Sequence, residues 1–501
     1  MSKFHSMVSR RDFMKGLGLL GAGLGAAASA APAFHDLDEV LSAPSANLKR
    51  PWYVKERDFY NPTLEIDWDM QKRYDARLTG QTGYVQAQYY GKARTVAATS
   101  VGNEAVKQHI AANDLGYGLK TLAIGQSLTK PDVVRTWTGP VQAQTNLFMP
   151  SKAKTPAERG VPKWTGTPEE ANKMLNVAMR MFGGALFAYG DLDDRMRNKV
   201  VHLYQRGDAN NNKFIDSWPP PAADSPPFVY EDVPEGYDSG GTNRKLVIPS
   251  KPMYWICFSL PGARHQYQNA PSMNSQGRWS HDALRCIFYP SLYNFLRSLG
   301  YQMLGFVMSD GVDPLPHGAT TILGGIGERS RQDVLSFSPE YGLAHSMWSV
   351  LTDLPVAPTK PIDAGMWRFC KTCTKCADVC PVSAISKEKE TSWELPLIEG
   401  KPNLLHNPGT KSLWTNGASC RIYINEAGHG CKQCIGNCTF TVGTGAMAHE
   451  VVKGTIANIS VFNSFFFSLA NSFDYGIRNP EDFWDMDLPV LGYDMKVGSP
   501  V

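Results

Sequence analysis

Apolar residues recur at helical spacing in two stretches of the chain. The first follows the dipeptide Thr167-Pro168, which is typical of a helix start, and predicts a helix over 169–189. The second predicts a helix over 284–299 that ends at Gly300. The first pattern is carried by Met174, Val177, Ala178, Met181 and Phe182.

Between these two stretches the pattern changes. Residues 246–260 alternate weakly between apolar and polar positions, which predicts a strand, and the segment from Pro219 to Gly241 predicts a loop. Residues 32–165 are polar and interrupted by glycine and proline. Strand and helix signals that alternate in this way predict an α+β core.

Length and composition restrict the class of protein. A chain of 501 residues, of which 43% are hydrophobic, excludes collagen, a disordered chain and a disulfide-stapled mini-protein. The net charge of +3 lies entirely in the first thirty residues, so the nearly neutral remainder predicts no nucleic-acid partner. Mean hydropathy is −0.29, and no long uncharged apolar run follows residue 35, which predicts no membrane-spanning helix there.

The first thirty residues resemble an export signal. Arg10 and Arg11 precede an uncharged stretch rich in glycine and alanine, which ends in the small tripeptide Ala28-Ser29-Ala30. This pattern predicts a twin-arginine signal over residues 1–30, with an N-terminal membrane anchor as the alternative. Because the twin-arginine route carries folded proteins that have usually received a cofactor, the signal itself predicts a cofactor.

Eight of the ten cysteines lie between residues 370 and 438, and their spacing indicates iron–sulfur chemistry. The first four form C-x2-C-x2-C-x3-C-P, the bacterial ferredoxin pattern, in which the fourth cysteine ligates the other cluster. A second set with spacing C-x10-C-x2-C-x3-C follows. The cross-over rule predicts two [4Fe-4S] clusters, one held by Cys370, Cys373, Cys376 and Cys438 and the other by Cys380, Cys420, Cys431 and Cys434.

Disulfides and zinc are the competing interpretations of these cysteines. Disulfides do not account for the ferredoxin spacing and its proline, and zinc would need only four of the eight residues. The other two cysteines, Cys257 and Cys286, lie in apolar runs and are predicted to be inert core residues.

Several further segments, taken in order, resemble the respiratory reductive dehalogenases. The resemblance spans the whole chain, and the N-terminal signal and the tail most resemble dehalogenases of the chloroethene type. Its carriers are the export signal, Leu299-Gly300-Tyr301, Gly325-Ile326-Gly327-Glu328-Arg329-Ser330-Arg331, Pro339-Glu340-Tyr341-Gly342, Thr352-Asp353-Leu354-Pro355, Pro358-Thr359-Lys360-Pro361-Ile362-Asp363-Ala364-Gly365, Phe369-Cys370 and Val461-Phe462-Asn463-Ser464-Phe465-Phe466.

The resemblance implies an enzyme that holds a base-off cobamide in a nitroreductase-like core and reduces it through a bacterial-ferredoxin-like domain with two [4Fe-4S] clusters. Cob(I)alamin, or a cobalt–halogen contact, would cleave the carbon–halogen bond, and a proton would replace the halogen. The implied organisation is a signal over 1–30, an N-terminal region over 31–165, a corrinoid-binding core over 166–360, a cluster domain over 361–450 and a C-terminal tail over 451–501.

This sequence has other residue types at the positions where the family is expected to place its proton donor and a basic residue. The tyrosine expected nineteen residues before Tyr301 falls on Asp282, beside His281, and Tyr289 is the nearest tyrosine. The expected arginine or lysine falls on Ser346, beside His345. His281, Asp282, His345 and Tyr289 are therefore the catalytic candidates, with ordinary structural histidines as the alternative for His281 and His345.

The resemblance also implies contacts and partners. Gly325 and Gly327 are expected to allow close approach of the backbone to the corrinoid, with a plain turn as the alternative, and His429 is expected near the corrinoid tail or the cluster loop. The implied partners are a small organohalide, a small membrane-anchor protein and a respiratory electron donor at the outer face of the cytoplasmic membrane.

Two other functions remain open from the sequence, and the export signal and the nearly neutral charge of the remaining chain contradict a third. An exported iron–sulfur electron carrier without its own catalysis would need only the clusters. A dehalogenase of chlorinated arenes would share every motif. A reductase similar to the epoxyqueuosine reductases would lack the export signal and show a basic face for nucleic acid.

Overall fold

The computed structural model describes residues 50–127, 133–136, 139–142, 153–207, 212–275, 278–305, 313–333, 336–441, 447–472, 476–489 and 492. The predicted export signal over 1–30 lies outside them. The described α-helices are α1 (Gly83–Tyr90), α2 (Lys92–Ala111), α3 (Leu119–Ser127), α4 (Pro168–Met181), α5 (Arg264–Tyr267), α6 (Arg278–Leu299), α7 (His317–Leu323), α8 (Met366–Thr372), α9 (Lys375–Asp378), α10 (Gly417–Ala427), α11 (Gln433–Gly436), α12 (Met447–Asn458) and α13 (Asn463–Ser472).

The strands are mostly short and belong to five small sheets. They are β1 (Lys55–Glu56), β2 (Val133–Thr136), β3 (Gly139–Gln142), β4 (Leu186–Asp191), β5 (Phe228–Glu231), β6 (Leu246–Pro249), β7 (Tyr254–Pro261), β8 (Met303–Leu304), β9 (Glu328–Arg329), β10 (Ser336–Phe337), β11 (His345–Thr352) and β12 (Ile362–Asp363).

The central sheet has four antiparallel strands in the order β4-β7-β11-β8. Strands β7 and β11 pair over eight residues, from His345 opposite Pro261 to Thr352 opposite Tyr254. On the other side of β11, β8 pairs only with Leu351 and Thr352. Among the described residues, the stretch 345–350 therefore has one edge without a strand partner.

The two faces of this sheet bury different cores, because successive side chains of a strand point to opposite faces. One face contributes Trp255, Cys257 and Leu351 to a core that includes Leu323 of α7. The opposite face contributes the alternate residues of β7 and β11, and α4 and α6 cover it. That second core contains Ile256, Phe258, Val350, Leu175, Met179, Phe288 and Leu292.

The cysteine-bearing segment shares its apolar core with distant parts of the chain. Tyr53 and Leu64 from the N-terminal side and Phe466 of α13 pack in one cluster with Phe369 and Ile435. Helix α2 also crosses α10 at very close range, since a Cβ on Gly102 would lie 2.0 Å from the carbonyl oxygen of Asn425. The domain predicted over 361–450 stays a prediction. Its apolar core also includes residues from the N-terminal side and from the C-terminal tail.

The helix predicted over 169–189 begins as expected and ends early. At its start, the Thr167 hydroxyl accepts from the Glu170 amide, and the Glu170 carboxylate accepts from the Thr167 amide. The helix ends at Met181 because Gly183 adopts a φ of 97°, and Leu186 begins β4. Of the residues that carry the helical spacing, Ala178 is buried, whereas Val177 and Met181 are 64% and 82% exposed.

Three other element predictions need correction. The strand predicted over 246–260 is two strands, β6 and β7, and β7 does not alternate because both faces of the sheet are covered. The predicted loop from Pro219 to Gly241 contains β5. Helix α6 extends from Arg278 to Leu299 and is closed by Gly300 at a φ of 93°, as the sequence predicts.

None of the helices in the described ranges is both long and apolar enough to cross a membrane.

Candidate active site

A cavity of about 560 Å³ opens beside the edge of β11 that has no strand partner among the described residues. Ser346, Met347 and Trp348 of that strand form one wall. The other walls come from four separate parts of the chain, 64–79, 199–206, 313–329 and 405–414. A cavity of this size, mostly apolar with a few polar groups, is typical of a small-molecule or cofactor site.

Several polar atoms in the cavity wall are buried without a hydrogen-bond partner among the described residues. They are Oδ1 of Asp313, Nδ1 of His317 and Nε of Arg329. Buried polar atoms without partners are costly, so a ligand that both donates and accepts hydrogen bonds would stabilise this wall. The amide side chains at the rim of a corrin ring have this property, and the residues present therefore fit a corrinoid.

His281, which is next to the position of the expected tyrosine, contacts Ser346, which stands at the position of the expected basic residue and lines the cavity. Nε2 of His281 is 2.9 Å from Oγ of Ser346 and 3.4 Å from the hydroxyl of Tyr267. His281 is 4% exposed and lies behind Ser346, which lines the cavity. The hydroxyl of Ser346 thus connects a buried imidazole to the cavity.

Asp282 belongs to the same group of side chains. Its Oδ1 lies 3.7 Å from Nδ1 of His281 and 3.0 Å from Nη2 of Arg285. The Arg285 guanidinium in turn lies over the Trp348 ring, 5.1 Å from its centroid. Asp282 therefore has a neutralising cation and lies beside His281 without reaching the cavity, whose lining does not include it.

The structure separates His345 and Tyr289 from this group. Neighbouring residues on β11 face opposite ways, and Nδ1 of His345 lies 2.7 Å from Oγ of Ser259 on the other side of the sheet. Burial lowers the pKa of His345 to about 4. The ring of Tyr289 packs against Phe258 at 5.3 Å in the core beneath α6, and neither residue lines the cavity.

The sequence analysis missed a polar network in the cavity wall. Asp333 accepts hydrogen bonds from Arg329 and, at 3.1 Å, from the Ser412 hydroxyl, and its Oδ2 lies 2.9 Å from Nε2 of His406. Burial and the nearby Arg329 charge lower the pKa of His406 to about 3. Arg329 lies in one of the motifs that carry the resemblance, but the sequence contains no signal that brings His406 to it.

The glycines of that motif pack against protein backbone. A Cβ on Gly325 would lie 2.0 Å from the Lys360 carbonyl oxygen, and one on Gly327 would lie 2.3 Å from that of Phe337. Neither glycine lines the cavity, so their position gives the expected corrinoid contact no support. Close backbone packing accounts for both residues.

The cysteines of the predicted first cluster lie close enough to interact. Burial is the main cause that raises the pKa of the Cys376 thiol, and the neighbouring thiols of Cys370, Cys438 and Cys373 raise it further. The same causes act on Cys370. The structure thus brings Cys438 to the three cysteines that precede it by more than sixty residues.

The predicted second set also converges. Burial raises the pKa of Cys420 to about 11, and the thiols of Cys431 and Cys380 contribute. Cys434 interacts with Cys420 and Cys431, and also with Cys376 of the first set, so the two sets are neighbours. All ten cysteines are free thiols. Within the described ranges, no three His, Cys, Asp or Glu residues are grouped as ligands of a single metal ion.

His429 lies beside the second set of cysteines rather than at the cavity. Its Nε2 is 2.8 Å from the hydroxyl of Tyr117, and the Tyr117 ring stacks on His109 at 4.4 Å. Of its two expected positions, the cluster loop is the one that the structure favours. Cys257 and Cys286 are buried, as predicted for core residues.

Comparison with known proteins gives consistent results. The family model for the reductive dehalogenase subunit matches residues 49–356. The chain is 31% identical to a chloroethene reductive dehalogenase of Dehalococcoides mccartyi strain VS, with 99% of both chains covered. It is 29% identical to a trichloroethene reductive dehalogenase of D. mccartyi strain 195, again over 99% of both chains.

The fold is also similar to a solved structure. A reductive dehalogenase whose structure is described as suggesting a mechanism for B12-dependent dehalogenation superimposes with a TM-score of 0.51 over 89% of this chain, at 15% identity. This chain spans about half of that longer protein, 54% of its length.

Proposed function

The chain belongs to the reductive dehalogenase family, enzymes that remove halogen reductively, and we propose that it acts on a chlorinated ethene such as tetrachloroethene or trichloroethene. The observation that carries the proposal is the cavity beside β11, with the His281–Ser346 pair and with polar wall atoms that have no hydrogen-bond partner among the described residues. The names of the full-length relatives support the substrate class.

The proposed cofactors are a base-off cobamide in the cavity and two [4Fe-4S] clusters on the cysteine sets. The core over 166–360 would be nitroreductase-like and the cysteine segment ferredoxin-like. A bound cobamide supplies the electron-rich cobalt that cleaves the carbon–halogen bond. Asp313, His317 and Arg329 would bind the amide groups at its rim through atoms that have no hydrogen-bond partner in the described part of the chain.

The net reaction consumes two electrons and one proton. The carbon–chlorine bond breaks, chloride leaves, and a carbon–hydrogen bond forms. The proton would come from the Ser346 hydroxyl as Nε2–H of His281 replaces it, because their 2.9 Å contact is within hydrogen-bond range. The Asp282 carboxylate, 3.7 Å from Nδ1 of His281, would stabilise the imidazole while it carries a proton. The apolar wall around Trp348 would exclude water from the reacting carbon.

The proposed location is the outer face of the cytoplasmic membrane. A twin-arginine signal over residues 1–30 would export the folded, cofactor-loaded protein, and a small membrane protein would anchor it. A respiratory donor would then deliver electrons to the clusters. The adjacency of Cys376 and Cys434 supports electron transfer between the two clusters.

Metal analysis and a chloride-release assay test the proposal together. Anaerobically purified full-length protein, reconstituted with a cobamide, is expected to hold one cobalt and about eight irons per chain. With reduced methyl viologen it should release chloride from tetrachloroethene faster than from a chlorinated phenol assayed in parallel. The reverse preference would favour the arene alternative, whereas eight irons without cobalt would favour the electron carrier.

A further inference from the structure

The Arg331 side chain forms hydrogen bonds with the main chain of the cysteine segment. Its guanidinium is almost fully buried and donates to five backbone carbonyls. Nε reaches the carbonyls of Cys370 and Cys373 at 2.9 and 2.7 Å. The other three acceptors are Lys371 at 3.2 Å, and Ser386 and Glu388 at 2.7 Å each.

These partners satisfy the guanidinium without neutralising it. An arginine has five N–H donors, and carbonyl oxygens accept them as dipoles that carry no net charge. A buried cation with only neutral partners is expensive unless an opposite charge lies nearby. The segment supplies one carboxylate that interacts with Arg331, that of Asp378. Metal-bound thiolates would add more negative charge beside the guanidinium, and two of them would belong to Cys370 and Cys373, which already interact with Arg331.

The segment around Arg331 holds helix α8 at both ends. Three residues earlier, the Glu328 carboxylate accepts from the Ala364 and Met366 amides at 3.1 and 3.0 Å, where α8 begins. Arg331 binds carbonyls at the end of the same helix, which complements the helix dipole. Arg329, which lies between them, lines the cavity. The strand-like segment 328–331 is therefore a wall shared by the cavity and the first cysteine set.

We propose that Arg331 raises the reduction potential of the cluster held by Cys370, Cys373, Cys376 and Cys438. One-electron reduction adds a negative charge to a cluster that is already anionic with its four thiolates. A fixed buried cation stabilises the reduced form more than the oxidised form, because the attraction grows with the cluster's charge. Arg331 is thus a positioning and tuning residue. The inference rests on the proposed clusters.

The test is a potentiometric titration of the purified full-length protein, followed by electron paramagnetic resonance with dithionite or titanium(III) citrate as reductant. In Arg331→Gln, the reduction equilibrium constant of one cluster should fall at least tenfold, or about 59 mV for one electron. The other cluster should move less. Arg331→Lys, which retains the charge, should stay closer to the wild type than Arg331→Gln.

Arg197 provides the matched control. It also donates to main-chain carbonyls, those of Leu192 and Lys251 at 2.8 Å, but it holds no part of the cysteine segment. Arg197→Gln should leave both potentials unchanged.

Unchanged potentials in an Arg331→Gln protein that retains about eight irons would overturn the inference. If Arg331→Gln and Arg331→Met both lose iron while Arg331→Lys keeps it, the role is structural, and the tuning claim also fails. A wild type that holds its clusters and releases chloride would keep the proposed function intact in either case. A wild type without iron would remove both.

Discussion

The cysteine segment and the cavity are two functional regions of opposite construction. The spacing of eight cysteines within residues 370–438 predicts that they are cluster ligands, because a cluster-binding loop fixes the number of residues between ligands. The cavity wall draws on residues from Leu64 to Trp414, and almost none of them belongs to a local pattern. A site built on one loop can be predicted from sequence, whereas a site assembled from many segments must be seen in three dimensions.

The largest expected effect is a loss of iron on substitution of Cys420, the cysteine that departs most from the ferredoxin spacing. Ten residues separate Cys420 from Cys431, where the simple pattern has two. If it is a ligand, Cys420→Ser should lose one cluster, so that iron falls from about eight to about four per chain. Metal analysis and the visible absorbance of the clusters measure this loss.

Cys257→Ser is the matched control for that variant. Its thiol lies 3.7 Å from the hydroxyl of Thr321 in the core of the sheet, where a hydroxyl can also be accommodated. It should retain all the iron. Full iron in Cys420→Ser would remove Cys420 from the ligand set.

The second prediction tests the proton path at the cavity. His281→Gln and Ser346→Ala should each lower kcat by about a hundredfold, which is the low end for loss of a general acid. Ser346→Ala removes the hydroxyl that would donate the proton, and His281→Gln removes the imidazole that would replace that proton. Steady-state chloride release over pH 5–9 measures the effect, and the acidic part of the pH profile should change with it.

His345→Gln serves as the comparison for His281→Gln, because both histidines are buried but lie on opposite faces of the sheet. Its ring contacts Ser259 and does not reach the cavity, so kcat should change less than threefold while stability falls by about 1 kcal/mol. If His345→Gln were the more damaging of the two histidine variants, the proton path proposed here would be wrong.

The third prediction concerns substrate choice. Trp348 lines the cavity and packs on Phe258 and Arg285. Trp348→Phe should enlarge the cavity and shift the ratio of kcat/KM for tetrachloroethene over a dichloroethene by about tenfold, which is typical of small changes in an apolar pocket. Competition assays measure the ratio. Trp393→Phe, a partly exposed position outside the cavity, should leave it unchanged.

The smallest expected effect is on stability in acid. Burial lowers the pKa of His202 and His345 to about 4, so both stay neutral in the folded protein while an unfolded histidine binds a proton near pH 6.5. Their contribution to stability is therefore present above pH 6.5 and is lost as the pH falls towards 4. Thermal unfolding of the holoenzyme should show a lower midpoint at pH 5 than at pH 7.

His345→Gln should flatten that pH dependence by at most one proton, or about 1.4 kcal/mol per pH unit. An unaltered slope in this variant would mean that His345 is not a neutral buried group.

Much of the fold could be anticipated, with errors at particular places. The capping box at Thr167 and the terminal Gly300 mark helix boundaries because they act on the adjacent backbone. Val177 and Met181 of α4 share the helical spacing of the apolar residues but remain exposed, because periodicity alone does not show which side of a helix meets the sheet. Strand β7 lost its alternation because helices cover both faces of the sheet.

The sequence by itself determined the family and the eight proposed cluster ligands, since both are written in residue types at fixed short spacings. Only the tertiary structure decided that His281 and Ser346, 65 positions apart, meet at the cavity while His345 turns away. It also decided that Arg331 reaches into the cysteine segment. Contacts between distant residues depend on strand register and helix packing, and a single chain carries no local signal of them.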